Sequence, residues 1–311
     1  MIQFEQVEKK YPDGTYAVRK LDLTIEKGEF FVLIGPSGCG KTTTLKMINR
    51  LIPISGGTLR IDGRKISEFN IHELRWNIGY VLQQIALFPH MTIAENIAVV
   101  PEMRKWDRGK ISRRVDELLQ MVGLEPAVYR NRKPAELSGG QQQRIGVVRA
   151  LAADPEIVLM DEPFSALDPI SREKLQDDLL TLQRGIQKTI VFVTHDMKEA
   201  VKLGDRICLM KDGRIVQTGT PEHIMSRPAN EFVESFVGLH RGGESRPVRD
   251  IIAAFPAGPA AGARIESSET VSKALRLLAE SDALTVYEAG RPIGTITHRT
   301  IVQFLGSEVQ S

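Results

Sequence analysis

The sequence predicts an α/β fold built on a parallel sheet, followed by a second, smaller domain. Three observations predict it. Between residues 30 and 193, apolar runs of strand length alternate with longer amphipathic segments, the pattern of strands joined by crossover helices. Residues 35–42 lie between one such strand and one such helix and have the glycine spacing of a phosphate cradle. Gly238, Gly242, Gly243, Pro247, Pro256, Gly258, Pro259 and Gly262 crowd one stretch, which reads as a linker with one short helix in it. The expected domains are residues 1–237 and 264–311, joined by the linker 238–263.

Residues 1–30 alternate short apolar runs with polar turns, and Pro12-Asp13-Gly14 is a turn signal. Phe30-Phe31-Val32-Leu33-Ile34 reads as a buried strand, bounded by Gly28 and Gly35. A helix is expected over 41–51. Ile111, Val115, Leu118, Leu119 and Val122 mark one face of a helix over 111–122, with Gly123 as its C-cap. Further expectations are a helix over 141–153, a strand over 157–160, a helix over 171–185 and a strand over 189–193. Such apolar strands suit a parallel sheet covered on both sides. The tail shows helix (270–280), strand (284–288), strand (293–297) and helix (298–305) signals, with a hairpin turn at Glu288-Ala289-Gly290-Arg291. No repeat of 20–50 residues is visible.

Composition excludes several classes. Of 311 residues, 42% are hydrophobic and 26% charged, ordinary usage for a folded soluble chain. Lys and Arg number 41 and Asp and Glu 39, for a net charge of +2 and no bulk field to hold nucleic acid. Two cysteines, Cys39 and Cys208, form no disulfide framework and no CxxC metal pair, which suits a reducing compartment. No apolar run reaches the ~18 residues that span a bilayer, and Met1-Ile2-Gln3-Phe4-Glu5 does not open a signal peptide. The chain is expected in the cytosol. At a membrane, another subunit must carry the spanning segments.

Three segments carry chemistry. Gly35-Pro36-Ser37-Gly38-Cys39-Gly40-Lys41-Thr42 fits G-x-x-x-x-G-K-S/T. Its glycines let backbone N–H groups approach phosphate oxygens at a helix N-terminus, Lys41 adds a positive charge and Thr42 a hydroxyl for Mg²⁺. Thr43 continues the cradle, and Cys39 is a small filler. Ile157-Val158-Leu159-Met160-Asp161-Glu162 is a strand ending in two carboxylates. Asp161 suits Mg²⁺, and Glu162 is the candidate general base for an attacking water. Successive strand residues face opposite ways, so the two need not share a role. Leu137-Ser138-Gly139-Gly140-Gln141-Gln142-Gln143-Arg144 opens a helix in which Ser138 and Gln141 fit a capping box. Two glycines are a poor choice for a first helical turn. They leave bare N–H groups facing outward, a second anion site on the same chain.

In that order, the P-loop, the LSGGQ signature and the IVLMDE strand resemble the ATP-binding subunits of ABC transporters. The resemblance spans residues 1–237. It implies a P-loop NTPase with a RecA-like core, an antiparallel β subdomain and a helical subdomain carrying the signature. It also implies ATP and Mg²⁺ as cofactors. By position, Gln83 in Val81-Leu82-Gln83-Gln84 resembles the Q-loop glutamine at Mg²⁺ or water, with Gln84 as rival. Ser165-Ala166-Leu167-Asp168 matches the D-loop, His195 matches the switch histidine at the γ-phosphate, and Tyr11 resembles the adenine-stacking aromatic, with Tyr16 as rival. In this family two subunits pair head to tail. Each ATP is then held by one P-loop and by the partner's Ser138, Gly139, Gly140 and Gln141, with Asp168 beside it. The resemblance further implies two transmembrane permease subunits, an extracytoplasmic substrate-binding protein, a peripheral place on the cytoplasmic face of the membrane, and no nucleic acid.

Thr44-Leu45-Lys46-Met47-Ile48-Asn49-Arg50-Leu51 and residues 79–90 resemble the osmoprotectant branch, which imports glycine betaine, choline, carnitine and other quaternary amines. The alternatives are an importer of another small solute, such as an amino acid or polyamine, or a soluble ABC ATPase acting on nucleic acid or the ribosome. Residues 264–306 resemble one CBS motif, a small α+β unit that normally works in pairs. The tail from 241 to 311 balances eight Lys and Arg against eight Asp and Glu, so it has no polybasic membrane sensor.

Overall fold

The computed structural model describes residues 1–165, 167–186, 188–240, 247–254, 262–278, 281–297 and 300–301. They form two compact units, Met1–Ala229 and Asn230–Ser311. The elements of the first are β1 (Ile2–Lys10), β2 (Tyr16–Ile25), β3 (Phe30–Ile34), α1 (Lys41–Ile48), β4 (Gly56–Ile61), β5 (Arg64–Lys65), α2 (Ile71–Trp76), β6 (Ile78–Val81), α3 (Ile93–Met103), α4 (Arg108–Met121), α5 (Pro126–Tyr129), α6 (Gly139–Leu151), β7 (Ile157–Asp161), α7 (Pro169–Ile186), β8 (Thr189–Thr194), α8 (Met197–Leu203), β9 (Arg206–Lys211), β10 (Arg214–Gly219) and α9 (Pro221–Ser226).

Six strands make one sheet in the order β10-β9-β3-β8-β7-β6. All neighbours in it are parallel except β9 and β10, which are antiparallel. Every residue of β3, β7 and β8 is buried, as the continuous apolar runs predict for strands covered on both faces. The register aligns Ile34 with Thr194, Asp161 with Val193, and Val81 with Met160. Four parallel strands therefore end side by side, and the loops after β3, β6, β7 and β8 leave one edge of the sheet together. A second, antiparallel sheet runs β2-β1-β4-β5. Its Ile2, Phe4, Leu23 and Ile25 share a core with Phe31, Leu33, Leu45 and Met47.

Helix α4 begins where Asp107 accepts from the Gly109 and Lys110 N–H groups. It ends at Gly123, whose φ of +68° admits glycine without penalty. The Gly123 N–H donates to Gln120 O and the Leu124 N–H to Leu119 O, a Schellman closure. Helix α6 begins at Gly139, two residues earlier than the propensity of glycine suggests. First-turn N–H groups lack helical partners in any case, and the Ser138 cap with the reciprocal Gln141 bond secures the turn.

The second unit holds α10 (Glu231–His240), α11 (Val248–Ala254), β11 (Ala263–Glu266), α12 (Val271–Leu278), β12 (Ala283–Glu288) and β13 (Arg291–Thr297). Its sheet runs β11-β12-β13, over a core of Val248, Ile251, Ile265, Val271, Ala274, Leu284, Val286 and Ile296. Strand β11, parallel to β12, has no counterpart in the sequence reading, which starts the tail with a helix. The second compact unit begins at Asn230, before the glycine-rich stretch. Helix α10 continues to His240, and Asn230 caps its start by accepting from the Val233 N–H. The hairpin pairs Glu288 with Arg291, with Ala289 and Gly290 at φ +48° and +80°. The helix expected over 298–305 lies outside the described residues except for Thr300 and Ile301.

Candidate functional site

The loop after β3 is built by its glycines. Gly40 has φ +104°, and a Cβ there would meet Ala17 O at 2.4 Å. Gly35 packs so closely that a Cβ would meet Met210 O at 2.2 Å. Pro36, Ser37 and Gly38 are exposed on the turn. Lys41 is buried and closes the loop on itself, its Nζ donating to Gly35 O at 2.7 Å and Pro36 O at 2.9 Å. Cys39 is buried, and that burial pushes its thiol pKa up, as suits a packing residue. Thr43 is half-buried on the first turn of α1.

The two carboxylates at the end of β7 have different surroundings. Asp161 is 4% exposed. Thr42 Oγ1 donates to Asp161 Oδ1 at 2.8 Å, and the Tyr80 hydroxyl donates to Asp161 Oδ2 at 3.4 Å. Burial, then the Asp161 charge, raises the Tyr80 pKa, so Tyr80 stays a donor. Glu162 leaves the strand with φ +45°, its N–H donating to Val193 O at 3.0 Å. This left-handed conformation is uncommon for a residue other than glycine and locates strain at the site. Glu162 Oε2 lies 3.3 Å from Gln83 Nε2 and 3.3 Å from His195 Nδ1. The structure thus brings together Lys41, Thr42, Asp161, Glu162, Gln83 and His195.

The other sequence-predicted residues lie in different settings. Ser138 caps α6 and accepts from the Gln141 N–H. The Gln141 amide is spent locally, accepting from the Ser138 N–H and donating to the Tyr129 hydroxyl. Gly139 has open space where a side chain would stand, and a Cβ on Gly140 would meet Ser171 Oγ at 3.2 Å. Among the described residues, no hydrogen bond joins this turn to residues 35–42. Asp168 caps α7 by accepting from the Ser171 N–H, while Ala166 lies outside the described residues. Tyr11 is 37% exposed, with Lys9 Nζ 5.2 Å from its ring centre. Tyr16 is half-buried and has both Lys10 and Arg19 over its ring.

Sequence reasoning missed Tyr80, Arg172, Thr194 and Glu199, all of which touch this edge. For Tyr80 a signal existed: it stands three residues before Gln83 and one residue from the strand's end. The donor set fits magnesium. Thr42 and Asp161 present hard oxygens together, and Mg²⁺ is usually held by one or two protein oxygens with phosphate and water. Among the described residues no group of three His, Cys, Asp or Glu forms a self-sufficient metal cage.

Comparison with known proteins identifies the family. A family model described as ABC transporter matches residues 18–165. The glycine betaine/carnitine/choline transport ATP-binding protein OpuCA of Bacillus subtilis is 54% identical over 93% of this chain and 76% of its own length. The choline transport ATP-binding protein OpuBA of the same organism is 58% identical over 78% of this chain and 63% of its own length. A solved dimer of the ATP-binding cassette MJ0796, in a post-hydrolysis state with ADP and Pi, matches with TM-score 0.64 and 38% identity over 71% of this chain and 99% of that one. The chain belongs to the ABC transporter family, among its ATP-binding proteins.

Proposed function

We propose that this chain is the ATP-hydrolysing subunit that energises import of a quaternary amine osmoprotectant of the glycine betaine, carnitine or choline type. One observation carries the catalytic part of this reading. Glu162, flanked by Gln83 and His195, stands at the same sheet edge as the Thr42–Asp161 pair and the glycine loop. The backbone of residues 35–42 cradles the phosphates, and Lys41 exchanges its own loop carbonyls for β- and γ-phosphate oxygens. Thr42 and Asp161, joined by Gln83, would hold Mg²⁺, which would supply positive charge to neutralise the phosphate oxygens. Glu162 takes a proton from the attacking water, and His195 orients Glu162 and meets the γ-phosphate. Tyr11 is read as the adenine platform because its ring is exposed, whereas Tyr16 is half-buried with Lys10 and Arg19 over its ring.

The Ser138-Gly139-Gly140 turn is read as the γ-phosphate grip for a second copy of the chain, bound head to tail. Closure then requires ATP, and hydrolysis releases it. Two permease subunits convert this cycle into transport, with an extracytoplasmic binding protein delivering solute, and the chain sits peripherally on the cytoplasmic side of the membrane. Among the described residues no helix is long and apolar enough to cross a membrane. The substrate class rests on the relatives, whose names specify glycine betaine, carnitine and choline. The tail, residues 264–311, is read as one CBS-like regulatory unit.

Glu162→Gln tests the catalytic reading. The substitution keeps size and removes the base, so hydrolysis should fall about 10²–10⁴-fold. ATP affinity in a titration should remain and closed dimer should accumulate. Hydrolysis at the parent rate would refute the assignment.

A further inference from the structure

Helix α8 buries Met197, Ala200 and Leu203, yet Glu199 on the same helix is only 6% exposed. A buried carboxylate is retained only where partners hold it. Thr194 Oγ1 donates to Glu199 Oε2 at 2.5 Å, and Arg172 Nε lies 3.9 Å from Glu199 Oε1. That Nε is buried and makes no direct hydrogen bond, so the Arg172–Glu199 contact is one of charge. Burial raises the Glu199 pKa, with the Thr194 hydrogen bond and the Arg172 charge opposing it.

These contacts belong to a ring around a cavity of about 50 Å³ whose lining includes Glu162, Ser165, Arg172, His195, Asp196 and Glu199. Arg172 Nη2 donates to Leu167 O at 3.2 Å, and the Arg172 N–H donates to Asp168 O at 2.9 Å. Ser165 Oγ donates to Glu162 O at 3.0 Å. On the other side, the Asp196 N–H donates to Thr194 Oγ1 at 3.0 Å, so the Thr194 hydroxyl grips the backbone on the far side of His195. Ser165 meets the Glu162 carbonyl and His195 meets the Glu162 carboxylate, and Arg172 with Glu199 bridges Leu167 and Asp168 to the segment that carries His195.

We propose that Arg172 and Glu199 are positioning residues for hydrolysis, which lock Leu167 and Asp168 to the end of β8 and so set His195 against Glu162. This rests on the reading that the site hydrolyses ATP. Neither residue touches nucleotide in that reading, so their loss acts on turnover and leaves binding in place. Because they act as one link, breaking it twice costs no more than breaking it once.

The test uses the purified full-length chain with Arg172→Met, Glu199→Gln, the double variant and Arg172→Lys. Glu199→Gln keeps an acceptor for Thr194, and Arg172→Met keeps the aliphatic stem. For each, kcat and KM of magnesium-dependent ATP hydrolysis are measured, with ATP affinity in the presence of a chelator. Each single variant should lower kcat about tenfold or more, with KM and affinity within about twofold. The double variant should match the worse single variant, and Arg172→Lys should recover part of the loss. Unchanged kcat, multiplying losses in the double variant, or affinity falling in step with kcat would each overturn the proposal. If the double variant does not fold, equal kcat for Arg172→Lys and Arg172→Met overturns it. A parent chain without magnesium-dependent hydrolysis would instead remove the function it rests on, a result read before any variant is compared.

Discussion

Asn96 is fully buried on α3, and its side chain organises the loop that carries Gln83. Its Oδ1 accepts from the Phe88 N–H at 2.8 Å, and its Nδ2 faces Phe88 O, Met91 O and Thr92 O at 3.1, 3.3 and 2.9 Å. Replacing it with alanine does not harm all four groups equally. Thr92 O still receives the Asn96 N–H, and Phe88 O still receives the Met91 N–H. The Phe88 N–H loses its acceptor outright. One orphaned donor, the Met91 O acceptor stripped of its Nδ2 partner and two weakened acceptors sum to about 3 kcal/mol, or about 6–12 °C in Tm for a unit of this size. Asn96→Asp keeps the acceptor but points a buried charge at three carbonyl oxygens, so it should cost more than alanine. Thermal unfolding followed by far-UV circular dichroism measures both. A shift below about 2 °C for alanine, or an aspartate variant more stable than the alanine variant, would refute this account. In either variant, ATP turnover should fall before ATP affinity does, because Gln83 rides on the loosened loop while Lys41 does not.

Two further outcomes are expected. Gly40→Ala meets Ala17 O at 2.4 Å whereas Gly38→Ala meets nothing within 4 Å, so with both at positive φ the first should cost clearly more stability; melting without nucleotide checks it, and equal losses would contradict it. The Glu199 pKa is raised above its usual 4.5, so the stability this carboxyl contributes is full at lower pH and is lost as pH rises through its folded pKa. The Tm difference between Glu199→Gln and the parent should therefore shift in favour of the variant between pH 4 and pH 7, and a flat difference would contradict the burial effect.

What the sequence makes legible is local and periodic. Phe30–Ile34 and Ile157–Asp161 read as buried strands because a strand covered on both faces needs apolar residues at every position. Gly123 reads as a helix stop because a glycine after an apolar stripe suits the left-handed closure seen there. Strand β11 is hidden because it is four residues long and, in Ala263-Arg264-Ile265-Glu266, buries only Ile265. Arg172 and Glu199 are invisible as a pair because they meet only once α7 and α8 are placed, and no periodicity encodes an ion pair between two helices.

The site follows from register more than from any single residue. In a parallel sheet the strands end at one edge, so a residue just past each end is delivered to the same place. Here Ile34 pairs with Thr194 and Asp161 with Val193, so the next residues, Gly35, His195 and Glu162, emerge within one residue of a common level. Asp161, still inside the strand, keeps a buried setting and two hydroxyl partners. Glu162, one residue later, departs in a left-handed conformation and swings toward Gln83 and His195. That single reversal of φ gives two adjacent carboxylates different settings, Asp161 buried beside Thr42 and Tyr80 and Glu162 half-buried beside Gln83 and His195, the difference on which their proposed roles as oxygen ligand and base rest. A substitution at 162 that relieves the strain, such as glycine, should therefore ease the backbone while removing the carboxylate that stands between those two side chains, and stability and turnover should move in opposite directions.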